Sequence, residues 1–158
     1  MLSYLAKTGV DKRCDVLATA IRANMTVYDL VHLELCYAPP FSSAKDPVNI
    51  AGLAAENILT GKIDIFHYDA IADLDTEQVT LLDVRTVKEY NKSHIPNFIN
   101  IPLDSLRDNL DKLDKSKTIY VTCLAGLRSY IGCRILMQNG FQCKSLCGGY
   151  ELYCNVNG

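Results

Sequence analysis

From about residue 62 onward, short apolar, β-branched runs alternate with amphipathic stretches. Val79 to Val84 and Ile119 to Cys123 have the length and character of central strands in a parallel sheet covered on both faces. Lys144 to Cys147 reads as the last strand. Between these runs, Val87 to Lys92, Leu103 to Leu113 and Ser129 to Met137 read as helices. Leu103, Leu106, Leu110 and Leu113 form one apolar stripe, with Asp104 near its start. The alternation predicts an α/β domain with right-handed crossovers, whose ligand site lies at the C-terminal ends of the strands.

The first 60 residues follow a different pattern. Val16, Leu17, Ala20 and Ile21 make one helical stripe within Asp15 to Asn24, and Val27, Leu30, Val31 and Leu35 make a second within Thr26 to Cys36. Thr26 and Asp29 resemble a capping box with Asp in place of Glu. Tyr37 to Pro47 holds three prolines and forms a rigid connector that ends the helix. Asn49 to Leu59 returns to helical spacing, and Gly61 is placed to cap it. The boundaries are therefore 1–61 for a mostly helical appendage and 62–158 for the α/β domain.

The chemistry concentrates in Cys123-Leu124-Ala125-Gly126-Leu127-Arg128, between a strand and a helix. Unpaired amides and the positive end of the helix dipole stabilise a thiolate and a bound anion at such a place. Arg128 closes the loop with a planar, always-charged fork suited to a sulfonate or a persulfide anion. The assignment is Cys123 as nucleophile and sulfur carrier, the backbone of Leu124, Ala125, Gly126, Leu127 and Arg128 as substrate cradle, and Arg128 as orienter. Four residues separate Cys123 from Arg128. Tyrosine phosphatases place five between theirs, to enclose a tetrahedral phosphate. The shorter loop points to transfer of a sulfur atom through a persulfide, with a phosphatase or arsenate reductase as a lesser alternative.

Leu81-Leu82-Asp83-Val84-Arg85, Glu89-Tyr90, His94-Ile95-Pro96, Asn100-Ile101-Pro102-Leu103 and Gly148-Gly149-Tyr150 surround that loop in order. Together they resemble a rhodanese domain from about Ile63 onward. The resemblance implies a rhodanese-like parallel sheet flanked by helices, and a sulfurtransferase acting on thiosulfate, polysulfide or low-molecular-weight persulfides. Ser93 stands where the family commonly has Gly, and Asn97-Phe98 where Gly-Ala is common. A positive φ at Ser93 would carry a local cost. Asp83, Arg85 and Glu89 are read as satisfying helix-end and loop backbone groups, and His94 as a structural turn residue. Residues from about Val10 to Ala54, notably Thr19-Ala20-Ile21-Arg22-Ala23 and Tyr37 to Asn49, resemble the closing part of the dimerisation domain of flavin-dependent pyridine nucleotide-disulfide reductases, in the branch of coenzyme A-disulfide reductases and NADH oxidases. That resemblance implies a tail of such a reductase, with FAD, coenzyme A and NAD(P)H needed only in a full-length parent. It also implies Tyr37 as a substrate contact in the parent, and the apolar stripes left exposed without that parent predict a homodimer through residues 1–60 or a loosely ordered N-terminal arm. The other function class left open is a non-catalytic interaction or dimerisation module that keeps a rhodanese fold.

Composition narrows the rest. A formal charge of −2 and 22% charged residues give no push toward nucleic acid or membrane. An odd count of seven cysteines without a secretory signal fits a reducing cytoplasm. Cys143, Cys147 and Cys154, with Cys133, lack the paired knuckles of zinc sites, so no metal is expected. Cys147, at the end of the last strand, is a candidate resolving thiol. No Gly-x-Gly-x-x-Gly fingerprint follows a strand, so no cofactor is expected in this chain.

Overall fold

The computed structural model describes residues 9–36, 40 and 45–157, and the chain divides into two compact units, Met1–Gly61 and Lys62–Gly158. The first holds α1 (Val10–Arg22), α2 (Val27–Val31) and α3 (Pro47–Leu59). Helix α1 begins at Val10, five residues before the expected Asp15, and stops at Arg22, after which the chain turns through a left-handed Asn24 (φ 53°). The Thr26/Asp29 capping box is present in full, and Asp46 caps α3 through Val48 N–H while pairing with Arg13 at 2.8 Å. Helix α2 is shorter than its apolar spacing predicts. The amide of buried Asn49 donates to the carbonyls of Leu30 and Leu33 at 3.0 and 2.9 Å, satisfying groups that a longer helix would have used internally. Gly61 follows α3 in the left-handed region, φ 67°, with its N–H on Ile58 O. Tyr37 lies outside the described residues.

The second unit is a five-stranded parallel sheet flanked by helices. Strands β1 (Asp64–Phe66), β2 (Val79–Asp83), β3 (Ile99–Asn100), β4 (Thr118–Thr122) and β5 (Cys143–Leu146) lie in the order β1-β5-β4-β2-β3. Leu82 pairs with Val121 and Asp83 with Thr122, so the two central strands end level with each other. Both faces are covered. Leu82, Ile119 and Val121 point to one core with Leu106, Cys133 and Leu136, whereas Leu81 and Leu146 point to the other with Phe66, Ile95 and Phe98. Helices α4 (Val87–Lys92), α5 (Leu127–Gln138) and α6 (Gly149–Asn157) complete the layers.

Leu103–Lys112 is a 3₁₀ segment rather than the α-helix its stripe predicts, and it breaks at Asn109 (φ −126°). Ser105 Oγ donates to Pro102 O and Asn109 Nδ2 to Ser105 O, so short polar side chains compete for the backbone carbonyls. The segment's start carries no side-chain cap from Asp104. Ser93 has φ −172°, ordinary extended backbone without strain. The left-handed residue is instead Asn97 (φ 68°), a type that visits this region at small cost.

Candidate active site

Strand β4 delivers Cys123 to the C-terminal end of the sheet, and α5 begins four residues later. Cys123 is 1% exposed. The Gly126 N–H donates to its Sγ at 3.1 Å, and the thiol donates to Ser129 Oγ at 3.5 Å. Ser129 in turn donates to Gly126 O at 2.9 Å and accepts from Ser145 Oγ at 2.8 Å. The loop turns at Gly126 with φ 116°, a region closed to most side chains. Leu127 and Arg128 open α5, whose first-turn amides have no carbonyl partners inside the helix.

The back of the loop is fastened by α6. Tyr150 N–H donates to Cys123 O at 2.8 Å and Glu151 N–H to Leu124 O at 3.0 Å. For this approach the preceding residue must lack a side chain, since a Cβ on Gly149 would lie 2.6 Å from Leu124 O and 2.7 Å from Cys123 O. The Gly148-Gly149 pair, separated from β5 by one residue, is the sequence feature that could have pointed to this fastening. Ser129 and Ser145, both buried, carried no such signal.

Arg128 meets Glu89 in a bidentate pair, Nη1 to Oε2 at 2.8 Å and Nη2 to Oε1 at 2.7 Å, each side chain about a third exposed. Glu89 also serves α4, accepting from Thr86 N–H and Oγ1 at 2.9 and 2.7 Å. These bonds, Arg128's first, hold the Glu89 carboxyl well below the usual carboxylate range, and Glu89 raises Arg128 in return. The helix-end role expected of Glu89 is present, and the pairing with Arg128 is an addition that sequence spacing did not reveal.

Asp83 and Arg85 form a buried ion pair at 2.7 Å. Arg85 also donates to Ser93 O and stacks over the Tyr150 ring, while Asn100 donates to the carbonyls of Asp83 and Arg85. Removing one member of such a pair typically costs about 3–5 kcal/mol. His94 stacks on Tyr90 and bonds to its carbonyl at 3.0 Å. Cys147 is half-buried with its N–H on Phe66 O, and among the described residues it shares no hydrogen bond with Cys123. Cys133 and Cys143 are core residues, and the Cys143 thiol together with burial pushes the Cys133 thiol up. Among the described residues no three His, Cys, Asp or Glu side chains group as metal ligands, and no helix is long and apolar enough to cross a membrane.

The chain is similar to the solved structure of reduced Bacillus anthracis CoADR-RHD, at 49% identity and TM-score 0.91 over 95% of this chain and 27% of that one. It is also similar to a NAD-dependent persulfide reductase from A. fulgidus, at 38% identity and TM-score 0.78 over 92% of this chain and 26% of that one. A coenzyme A disulfide reductase of Staphylococcus haemolyticus is 46% identical over 54 residues, 34% of this chain and 12% of the reductase. The chain thus spans about a quarter or less of these proteins, and further relatives bear the name sulfurtransferase. The model of the rhodanese-like domain matches residues 67–155. That match takes in the Cys123 loop, the strand before it, the helix after it and the glycine pair behind it, and with more than half of its length so matched the chain belongs to the rhodanese-like domain family.

Proposed function

We propose that this chain is a sulfurtransferase that takes sulfane sulfur onto Cys123 and passes it to a second thiol. The observation that carries the reading is the Gly126 N–H set 3.1 Å from Cys123 Sγ, in a loop too short to ring a tetrahedral phosphate. The Cys123 thiolate attacks the sulfane sulfur, a new S–S bond forms, and the donor's remainder leaves with the electron pair of the broken bond. An acceptor thiolate then attacks the outer sulfur and releases Cys123. Donors of this class are thiosulfate, polysulfide and low-molecular-weight persulfides. The amides of residues 124–128 hold the anion, and Arg128 orients it.

Likeness to CoADR-RHD and to a persulfide reductase supports a second layer: the chain corresponds to the tail of a coenzyme A-disulfide or persulfide reductase of the cytoplasm. In that reading residues 1–61 close a dimerisation domain, and residues 62–158 are its rhodanese domain. FAD, coenzyme A and NAD(P)H would be held by the parent's redox half, whose thiol product would serve as acceptor.

The test is intact-mass and peptide mapping after exposure of the reduced protein to thiosulfate and, separately, to polysulfide. The expected result is a gain of one sulfur, about 32 Da, on the Cys123 peptide, released by cyanide or thiol and lost in Cys123→Ser. Retained transfer in that variant would refute the Cys123 assignment, and no adduct from either donor on a folded protein would favour the binding-module alternative.

A further inference from the structure

The pairing of Arg128 with Glu89 changes the electrostatics of the loop, because the chain from Cys123 to Arg128 carries a single basic side chain. Two of the guanidinium's five donors, one on each Nη, already meet carboxylate oxygens at 2.8 and 2.7 Å. Glu89 is fixed by its own cap, since its Oε2 takes both Thr86 N–H and Thr86 Oγ1. The next cation along the sheet edge, Arg85, is compensated too, buried against Asp83 at 2.7 Å. What the loop turns outward is apolar: Leu124 is 42% exposed and Leu127 72%.

Resting on the sulfurtransferase reading, we propose that Glu89 sets the charge selectivity of Cys123. By neutralising Arg128 it disfavours donors that carry full negative charge beside the sulfane sulfur, as thiosulfate does. It favours donors of lower charge, such as an organic persulfide, whose anion carries one negative charge where thiosulfate carries two. With thiosulfate, the thiolate takes the outer sulfur and sulfite leaves with the electron pair. The sulfonate charge must then be met by a cation already engaged. With an organic persulfide the leaving group is a thiolate of one charge, and the apolar rim meets its stem. Glu89 is a positioning residue here, acting through Arg128.

The charge term can be read without any sulfur transfer. The rate of alkylation at Cys123, followed on its own peptide, is measured with anionic iodoacetate and with neutral iodoacetamide in the full chain. Glu89→Gln keeps an N3 side chain able to close the α4 capping box and removes the charge. The iodoacetate-to-iodoacetamide rate ratio should rise about three- to tenfold in this variant, as the charge that compensates Arg128, the cation that interacts with Cys123, is removed. The KM for thiosulfate should fall in step, and Glu89→Asp should restore the wild-type ratio. An unchanged ratio in Glu89→Gln, with Cys123 still reactive toward iodoacetamide, overturns the proposal. In the wild-type chain the ratio should lie within about twofold of that for free N-acetylcysteinamide, and a value some tenfold higher would overturn it without any variant. A ratio that responds in a protein that never takes sulfur would sink the sulfurtransferase reading and leave the charge role standing. Sulfur loading with an inert ratio would do the reverse.

Discussion

Ser129 stands where three hydrogen bonds cross, accepting from Cys123 and Ser145 and donating to Gly126 O. Its replacement by Ala strands the buried Ser145 hydroxyl and frees the loop carbonyl, a cost of about 1–3 kcal/mol. Ser129→Ala should therefore lower the thermal midpoint and slow sulfur loading of Cys123 in single-turnover mass measurements, and unchanged values of both would refute the role. Glu89 has a consequence in acid. Its folded pKa is depressed, so its contribution is complete above the ordinary glutamate range near 4.3 and is lost as pH falls below that toward the folded value. The pair is partly exposed, which keeps its worth to about 1 kcal/mol or less. Urea midpoints of wild type and Glu89→Gln should thus differ at pH 7 and converge below pH 4, and a gap that widens in acid would contradict the pairing. At this scale Cys123 and Arg128 were legible because their spacing is local. The Glu89 contact was hidden, because it joins residues 39 apart in sequence and a capping role already accounted for the carboxylate.

Helix α5 carries a glycine in its interior. A Cβ built on Gly132 would lie 3.5 Å from Val84 Cγ1 and 3.7 Å from Leu106 Cδ2 and Val121 Cγ1, ordinary van der Waals distances. Gly132→Ala should accordingly stabilise the protein by about 1 kcal/mol through helix propensity, raising the thermal midpoint without slowing sulfur transfer. Destabilisation would mean that the core between α5 and the sheet has no room to give. Elements with strong local signals came through from sequence, including α4, the two central strands and the Thr26/Asp29 cap. Those set by polar side chains that compete for backbone carbonyls did not. Helix α2 stops where Asn49 takes its carbonyls, and the Leu103–Lys112 stripe becomes 3₁₀ because Ser105 and Asn109 bond to the backbone behind them.

The whole molecule joins a helical unit to an α/β unit with its own two-faced core. The helical unit leaves Ile21 76%, Ile50 50% and Leu59 64% exposed. We propose that a second copy of the chain covers this apolar surface. Light scattering after size exclusion should give twice the 17.6 kDa chain mass, and a compact monomer would argue against pairing through residues 1–60. The α/β class was legible because strand and helix periods alternate cleanly after residue 62, whereas strand order was not, since neighbouring strands are far apart in sequence.

Strand order also dictates a sequence of assembly. Edge strand β1 has β5 as its neighbour, with Asp64 opposite Lys144, so it waits unpaired until every other strand exists. Refolding of so non-local a sheet belongs in the slower, millisecond-to-second regime of small domains. The amides that fasten the Cys123 loop come from α6, after β5 again. A half-made chain therefore carries its thiol without the loop that organises it, and reactivity arrives only as the final closure is made.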